Sequence, residues 1–519
     1  MRILVTGGTG TVGEAVVTEL VRRGHEVRLL SRHATDDAMG WPERVTGIDG
    51  DVGDPASVSG AADGCAAVLH LAAVERESPP EATFQRVNVD GTRHVLAEAE
   101  RAGARRFVYV SSLGAERGTT DYHASKRAAE ALVRASGLNW TICRVGSVYG
   151  PGDPVISLLL IWVRTLPAVP VIDDGDQPFQ PVAAEDLACG LATCVERHDL
   201  VTRVLELAGT DRTSMNDVVE RIGRVIGRDA VRVPIPHMLA SLGIKAVRHL
   251  GVGLPVDEGQ ITMLREGSLI ERPEDNALVT VLGVTPTPLD EGLRRLADRQ
   301  PEQLPQDGVG ALERKRFWAD IEGSRLSPEE AMRRLGERFD EITPWMMDLR
   351  AEPGTPTRLE EGLALTMELP MRRRVQVRVV EMTPRRITVV TLRGHPLAGA
   401  VRFLAEQRGD RLRFEVQVYD RSSNAADWLV MRSLGTLVQS TNWTALVQRM
   451  VEETGGRAPE GVQEAEDTLD DEQAREVETW LAELVRAWKR AERGRGATAG
   501  TDQHTQRPTG SGASAAPPG

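Results

Sequence analysis

The feature that most constrains this chain is a run of closely spaced glycines directly after its first apolar segment. Residues 6–13 place glycines at positions 7, 10 and 13. The first permits a tight turn, the second lets backbone approach a phosphate, and the third lets the next helix pack against the strand. The free amides at the start of that helix favour an anion. The run therefore predicts a strand–turn–helix unit that binds a dinucleotide pyrophosphate. The residues expected to line this turn are Gly7, Thr9, Gly10, Thr11, Val12 and Gly13.

Short apolar segments and helical patterns alternate over about the first 210 residues. The strand candidates are Arg2–Thr6, Glu26–Ser31, Ala67–Leu71, Arg106–Ser111, Trp140–Arg144 and Val204–Leu207. Strands separated by helices are typical of βαβ units, which build a parallel sheet. We therefore predict an α/β fold, with a doubly wound parallel sheet of the Rossmann type over residues 1–210. A small substrate lobe is expected from residues 211–298, with an insert at about residues 151–180.

The end of the second predicted strand indicates which dinucleotide the site prefers. An NAD site usually carries a carboxylate there, which bonds the ribose hydroxyls. This chain has Ser31 and Arg32 instead, a hydroxyl and a guanidinium that suit a 2′-phosphate. The sequence therefore favours NADP(H), with NAD(H) possible. The other residues expected beside the cofactor follow the next strands and are Asp51, Val52, Leu71, Ala72 and Ala73.

A tyrosine and a lysine, Tyr122 and Lys126, stand four residues apart in a predicted helix. Side chains at that spacing face the same side of a helix. A tyrosine can exchange a proton with a substrate oxygen when a neighbouring cation lowers its pKa. The chain holds only four tyrosines and four lysines, so a chance pair at this place is improbable. Ser112, at the end of the preceding strand, would donate to the substrate oxygen and complete the set.

These segments resemble the short-chain dehydrogenase/reductases of the extended or atypical kind, the NAD-dependent epimerase/dehydratase-like group. The motifs that carry the likeness are Gly7–Gly13, Gly50–Val52, His70–Ala73, Val87–Thr92, Tyr109–Ser112, Tyr122 with Lys126, and Arg144–Gly150. The likeness covers about the first 300 residues and is strongest to the branch of the NADPH-binding accessory subunit of respiratory complex I. It implies an oxidoreductase in which Ser112, Tyr122 and Lys126 are catalytic. It also implies cofactor contacts from Asn88, Ser111, Lys126, Arg144 and Val145.

Two alternatives stand beside this catalytic interpretation. Ser112 and Tyr122 are separated by ten positions, a shorter interval than in many extended relatives. The first alternative is therefore a non-catalytic NADP(H)-binding sensor or scaffold, in which Tyr122 and Lys126 only support the cofactor. The second and weaker one is a nucleotide-sugar epimerase or dehydratase. That chemistry would need more polar residues for a diphosphate than residues 151–298 provide.

The stretch Val155–Val163 is unusually apolar for a helix expected near the cofactor. It is open to two interpretations, burial in a core or the wall of a lipophilic pocket. The second would indicate an apolar carbonyl or alcohol as substrate, such as a quinone, isoprenoid or lipid. The apolar run continues to Ile172, but Arg164, Pro167 and Pro170 interrupt it, so no transmembrane segment is expected.

From about residue 329 the pattern changes to β-rich runs followed by a long helical stretch. The runs are Gly362–Leu369, Val375–Met382, Arg386–Leu392, Ala400–Glu406 and Leu412–Val418, and the helical stretch spans residues 425–453. This order resembles the helix-grip fold of the START-like (SRPBCC) superfamily. The resemblance implies an α+β domain at residues 329–456 that holds a small apolar or lipid-like molecule. Residues 299–328 are expected to be a linker, residues 457–493 a linker and a C-terminal helix, and residues 494–519 a disordered tail.

Charge and cysteine content narrow the classes of partner. The formal net charge of −13 argues against a nucleic-acid binder. The four cysteines form no C-x-x-C pair, so we interpret them as reduced thiols and expect no metal site. The first strand begins directly after Met1, in place of the pattern of a secretory signal, and a cytoplasmic location is expected. The oligomeric state stays open.

Overall fold

The structure is a computed structural model that describes residues 1–41, 43–236, 259, 262, 269–343, 352–354, 358–369, 373–424 and 441–502. Strands β1 to β18 are Arg2–Thr6, Glu26–Ser31, Val45–Asp49, Ala67–His70, Arg106–Ser112, Asn139–Val145, Val148–Tyr149, Val169–Ile172, Val182–Ala183, Arg203–Leu207, Arg232–Ile235, Val309–Ile321, Ala364–Leu369, Arg373–Thr383, Arg386–Thr391, Leu397–Arg408, Arg411–Ser422 and Gln463–Thr468. Helices α1 to α14 are Thr11–Arg22, Ala34–Ala38, Pro55–Val58, Gly91–Arg101, Asp121–Ala135, Ile156–Thr165, Ala184–Glu196, Met215–Ile226, Ala277–Thr280, Leu289–Ala297, Pro328–Glu337, Phe339–Ile342, residues 441–454 and Asp471–Asp502.

Seven parallel strands form the N-terminal sheet, in the order β10-β6-β5-β4-β1-β2-β3. The chain leaves β1 towards β2 and β3, and then returns to the opposite side of β1 through β4. The strand order therefore reverses between β1 and β4, and this reversal opens a crevice at the carboxyl ends of the strands. The parallel Rossmann sheet predicted for the N-terminal part of the chain is confirmed.

Helices cover both faces of the parallel sheet, which explains why its strands are apolar at nearly every position. On one face, α1 and α7 pack against the sheet through Leu20 and Leu191. On the other face, α4 and α5 pack over Phe107 through Leu96 and Val133. All five of these side chains are fully or almost fully buried. The sheet is thus a rigid platform whose carboxyl edge is the part left open to a ligand.

A smaller lobe is built from α6, α8, α10 and the two-stranded parallel sheet of β8 and β11. Its helices share one apolar core, in which Leu160 and Val163 of α6 meet Ile222 of α8 and Leu293 of α10. Its elements lie in residues 151–180 and 211–298, the segments for which the insert and the substrate lobe were predicted. Residues 237–258, 260–261 and 263–268 of the predicted lobe lie outside the described residues.

Seven antiparallel strands form the C-terminal sheet, in the order β13-β14-β15-β16-β17-β12-β18. Helices α11 to α13 cover one face, where Phe403 contacts Phe339 and Trp443 edge to face. The opposite face packs on α14, mainly through Leu481 and Trp488. Residues 425–440, the first part of the predicted long helix, lie outside the described residues.

The C-terminal sheet contains two strands that the sequence did not predict, one from the segment before residue 329 and one from the segment after residue 456. The predicted linker at residues 299–328 contains β12, which pairs with both β17 and β18. This strand buries Phe317, Ala319 and Ile321 in alternation, but charged residues 313–316 hide the period-two pattern. The predicted linker after residue 456 contains β18. Helix α14 also extends to Asp502, into the predicted tail, of which residues 503–519 lie outside the described residues.

A buried ion pair joins the N-terminal unit, which consists of the parallel sheet and the smaller lobe, to the C-terminal unit, which is built on the antiparallel sheet. Arg164 of α6 donates to both carboxylate oxygens of Glu352, each at 2.8 Å, and to Gln376 Oε1 at 2.6 Å. The paired side chains of Arg164 and Glu352 are only 4% and 7% exposed. Because a buried charge is costly without its partner, this pair holds α6 in one position against the sheet.

Helix α14 bridges the two units from the other side. Lys489 donates to Glu302 at 2.8 Å beside the C-terminal sheet. One turn later, the Arg493 guanidinium lies 3.6 Å from the centroid of the Trp41 ring and donates to Gly40 O at 2.8 Å. Within the described residues, no helix, α14 included, has both the length and the apolar character needed to cross a membrane.

We expect the Arg164→Met variant to lose about 3–5 kcal/mol of unfolding free energy, because it removes the buried guanidinium that donates twice to the Glu352 carboxylate. Chemical denaturation followed by tryptophan fluorescence measures this loss. Arg333→Met is the matched control, since its ion pair with Glu337 is 61% and 58% exposed, and its effect should stay within about 0.5 kcal/mol. Equal effects of the two substitutions would contradict the role of the buried pair.

Candidate functional site

A cavity of about 620 Å³ lies at the carboxyl edge of the parallel sheet, where the strand order reverses. The loops that follow β1 to β6 form its walls, so residues distant in sequence meet in one space. Of the residues predicted for cofactor or catalysis, those that line the cavity are Gly7, Thr9, Gly10, Thr11, Val12, Gly13, Ser31, Arg32, Asp51, Val52, Leu71, Ala72, Ala73, Ser111, Ser112, Tyr122, Lys126 and Val145. Two predicted residues, Asn88 and Arg144, lie behind the walls.

The glycine turn at the end of β1 has almost no room for side chains. Gly7 has a φ of +72°, and a Cβ there would stand 2.7 Å from the Ala72 amide nitrogen. A Cβ at Gly13 would stand 2.2 Å from the Gly7 carbonyl oxygen, so α1 can pack on the turn only without one. At Gly10 the nearest atom to such a Cβ is 3.8 Å away, because this residue faces the cavity.

The N-terminus of α1 is suited to a phosphate group. No side chain in the described part of the chain caps it, whereas Thr120 caps α5 and Ser214 caps α8. Its first amides are therefore available to an anion, and the helix dipole adds to that attraction. With the open space at Gly10, these residues fit a dinucleotide pyrophosphate.

Ser31 and Arg32 form the far end of the cavity, at the end of β2. The Ser31 hydroxyl donates to Asp37 at 3.3 Å. Arg32 is exposed and forms no ion pair with any residue that the structure describes, so its guanidinium is free for a ligand. The neighbouring Asp51 is already paired, since Arg86 donates to its carboxylate at 2.8 Å.

A buried chain of hydrogen bonds holds the loop after β4. His70 Nδ1 lies 2.6 Å from the Thr6 hydroxyl, and its Nε2 lies 3.0 Å from the Thr92 hydroxyl. Thr92 donates onward to Asn88 O at 2.6 Å, and the Ala72 amide donates to Thr6 at 3.3 Å. The chain is consistent when His70 is neutral, and burial lowers its pKa to about 3. His70 thus supports the cavity wall and does not enter it.

Asn88 and Arg144 act through the walls, contrary to the direct cofactor contacts that were expected. The Asn88 amide bonds both the N–H and the carbonyl of Val74, at 2.8 and 3.0 Å, and so fixes the loop that follows Ala73. Arg144 pairs with Glu130 at 2.9 Å, and the Glu130 carboxylate accepts from the Ser111 hydroxyl at 2.7 Å. Both side chains use their hydrogen-bonding groups within the protein, because each lies beneath a loop that it holds in place.

The three predicted catalytic residues meet in the cavity in spite of the short interval between Ser112 and Tyr122. Thr120 accepts from the His123 amide at 3.2 Å and starts α5, so Tyr122 stands in the first turn of that helix. One turn later, Lys126 Nζ donates to Val110 O at 2.7 Å and lies 4.7 Å from the centroid of the Tyr109 ring.

Burial dominates the protonation of these groups. It lowers the pKa of the Lys126 ammonium to about 8, although Glu75 and Glu130 act in the opposite direction. It raises the pKa of the Tyr122 phenol well above its usual value, and Glu75 adds to the rise. This corrects the expectation that a neighbouring cation lowers the pKa of Tyr122. The phenol therefore stays protonated at neutral pH.

Three acidic residues that line the cavity, Glu75, Glu81 and Asp153, were not predicted from the sequence. Glu75 lines it next to Tyr122 and Lys126, and burial raises the pKa of its carboxyl group. Asp153 starts α6, since its carboxylate accepts from the amides of Val155 and Ile156 at 2.9 and 2.7 Å. These residues stand in irregular loops without a motif. The one signal for Glu75 is its place just after the small residues that end β4.

The apolar helix α6 was expected either to be buried in a core or to form a pocket wall, and different residues of it do each. Val155 and Ile156, at its start, line the cavity together with Phe179. Leu160 and Val163, further along, are buried in the core of the smaller lobe. The wall of the cavity at the start of α6 is therefore apolar, whereas the side under the glycine turn is polar.

Comparison with known proteins gives one family match and several relatives. Residues 7–154 match the family described as NAD(P)H-binding. A ceramide reductase of Caulobacter vibrioides is 31% identical over 242 residues, which cover 46% of this chain and 75% of that protein. A sterol demethylase protein B of Methylococcus capsulatus is 35% identical over 175 residues, which cover 30% of this chain and 53% of that protein.

Among solved structures, the UDP-glucose 4-epimerase of Thermus thermophilus in complex with NAD is similar to the N-terminal part of this chain. The two share 23% sequence identity, with a TM-score of 0.46. The superposition covers 57% of this chain and 98% of the epimerase.

The ionisation of Lys126 can be observed directly because the chain has only four lysines. With ¹³C at the lysine Cε, we expect one signal to titrate near pH 8, whereas a solvated lysine titrates at about 10.4. The Lys126→Arg variant assigns that signal by removing it. A midpoint above about 10 for the assigned signal would contradict the burial of its ammonium.

Proposed function

The chain belongs to the NAD(P)-binding, epimerase/dehydratase-like short-chain dehydrogenase/reductases, and we propose that it is an NADP(H)-dependent oxidoreductase acting on an apolar carbonyl or alcohol. One observation carries the proposal. A single cavity joins the glycine turn, the set of Ser112, Tyr122 and Lys126, and an apolar wall at the start of α6. Polar groups for a dinucleotide thus lie beside an apolar space for the second reactant.

Reduction of a carbonyl assigns a distinct role to each side chain. The bound cofactor supplies a hydride for the carbonyl carbon. The Ser112 hydroxyl would donate a hydrogen bond to the carbonyl oxygen and hold it towards Tyr122. The Tyr122 phenol would give its proton to that oxygen as negative charge develops there, so the product is an alcohol. The raised pKa of the phenol supports this direction, because the group is protonated before the reaction begins.

Lys126 would act on both the cofactor and Tyr122. Its ammonium is held by Val110 O at 2.7 Å, and the remaining N–H groups are available to the nicotinamide ribose. After proton transfer, the nearby positive charge would stabilise the phenolate until solvent returns a proton. Because its pKa is about 8, the Lys126 ammonium gives this aid at neutral pH and below, and the aid is lost as the pH rises through 8.

The relatives support an apolar reactant. One is a reductase of ceramide and another is a sterol demethylase protein, and both names refer to lipid-like molecules. For the C-terminal unit we propose a START-like ligand-binding role, supported by its antiparallel sheet with α13 packed across one face. It would hold or deliver the lipophilic molecule.

A non-catalytic NADP(H)-binding role is the second candidate. It is favoured by the hydrogen bond from Lys126 Nζ to Val110 O at 2.7 Å, which holds the ammonium in a contact within the protein. Both proposals require the cofactor, and they differ in whether removal of the Tyr122 hydroxyl has a kinetic effect.

We expect Tyr122→Phe to reduce carbonyl turnover by about 100-fold or more, since it removes the proton donor, and to leave NADPH affinity within about threefold. NADPH oxidation is followed with a panel of medium-chain and cyclic ketones. Tyr149→Phe is the matched control, because this buried tyrosine lies in the smaller lobe and packs against Gly292. Undiminished turnover in Tyr122→Phe would contradict the assigned role.

We expect Arg32→Ala to weaken NADPH binding by about 10- to 100-fold and to leave NADH binding within about threefold, because only NADPH carries the 2′-phosphate. Dissociation constants for both cofactors are measured by the quenching of tryptophan fluorescence. Arg105→Ala, which changes an exposed arginine away from the cavity, should alter neither constant. An equal loss for both cofactors would exclude the 2′-phosphate as the partner of Arg32.

A further inference from the structure

Glu75 is a carboxyl group in the cavity for which the proposed reaction has no use. It lies in the loop after β4 and lines the cavity near Tyr122 and Lys126, with its side chain exposed to the cavity solvent. Its position is well defined, because the Asn88 side chain bonds both backbone polar groups of the preceding Val74, at 2.8 and 3.0 Å. A loop held in this way presents the carboxyl group to the cavity at a fixed place.

The hydrogen-bonding capacity of Glu75 is available to a ligand. Its carboxylate has no hydrogen-bond partner among the residues that the structure describes. In contrast, the other acid at this end, Asp153, accepts from the amides of Val155, Ile156 and Ser157. Glu75 interacts electrostatically with Lys126, Tyr122 and Asp153, which places it at the reacting end of the cavity.

The surroundings of Glu75 do not suit an anionic substrate. Across the described ranges, the lysine and arginine side chains that line the cavity are Arg32 and Lys126. Arg32 lies at the end of β2, three strands from β5, which is roughly 14 Å at the usual strand spacing. Lys126 is the only one of the two near Glu75, and Asp153 adds a second acid there. The wall at the start of α6 is apolar, with Val155, Ile156 and Phe179.

We propose that Glu75 selects the substrate class: it accepts a hydrogen bond from an uncharged or cationic polar group on an apolar molecule and excludes phosphate- and carboxylate-bearing molecules. The inference rests on the proposed oxidoreductase function and narrows its substrates. An ionised carboxylate can only accept hydrogen bonds, so a hydroxyl, amide or ammonium suits it. An anion beside it would meet the repulsion of a like charge at close range. A nucleoside-diphosphate sugar is excluded on this basis.

The test uses three ligands of equal chain length that differ only in their polar group: octylamine, 1-octanol and octanoate. Each is titrated into the full chain loaded with NADPH, which cannot reduce any of the three, and binding is measured by calorimetry at about pH 7.5. We expect octanoate to bind at least about tenfold more weakly than the other two. In Glu75→Gln the gap between octanoate and 1-octanol should fall below about threefold, because the amide keeps the shape and removes the charge.

Glu81→Gln is the matched control. Glu81 is an equally exposed acid that also lines the cavity, but it is not among the charges that act on Tyr122 and Lys126, so the difference in affinity between octanoate and 1-octanol should persist in this variant. NADPH affinity is measured for every variant first. Failure of the parent chain to bind NADPH would overturn the proposed function itself. If NADPH binds, equal affinities for the three ligands, an unchanged gap in Glu75→Gln, or no binding of the amine and alcohol would each overturn the inference about Glu75 alone.

Discussion

The close approach of three backbone segments at the glycine turn is the constraint on which the site depends. Gly7 contacts the loop after β4 near Ala72, and Gly13 contacts the Gly7 carbonyl, at distances that no Cβ could occupy. This approach brings the start of α1 to the point where the strand order reverses. The amides of the helix, the loops of the neighbouring strands and the cavity between them all follow from it. A larger residue at either glycine would separate the helix from the sheet and remove the phosphate site.

Helix α6 links the cavity to the C-terminal unit. Its first residues, capped by Asp153, form the apolar wall, and its last turn carries Arg164, which is paired with Glu352 in the interface. A buried ion pair is geometrically strict, because either charge alone is strongly unfavourable there. The shape of this apolar wall is therefore tied to the position of the C-terminal sheet. This gives a physical reason for the fusion of the two units in one chain.

Desolvation controls the chemistry within the cavity more strongly than the pairing of charges does. The Tyr122–Lys126 spacing suggests a phenol made acidic by a cation, yet burial keeps the phenol protonated and makes the ammonium easier to deprotonate. Both effects follow from the cost of charge in a poorly hydrated space. Glu75 also affects these two groups, because its negative charge favours the protonated forms of Tyr122 and Lys126. The three groups act as one electrostatic unit.

The sequence by itself determined the features that depend on local geometry. The glycine spacing, the alternation of strands and helices and the Tyr122–Lys126 pair each impose a periodicity or a backbone conformation that can be read along the chain. It did not reveal β12, because the charged run at residues 313–316 hides the alternation of its buried positions. Only the tertiary structure decided that Arg144 turns away from the cavity, that Glu75 faces it, and that Tyr122 stays protonated. Orientation and desolvation depend on which distant segments pack together, and no local pattern in the chain records that.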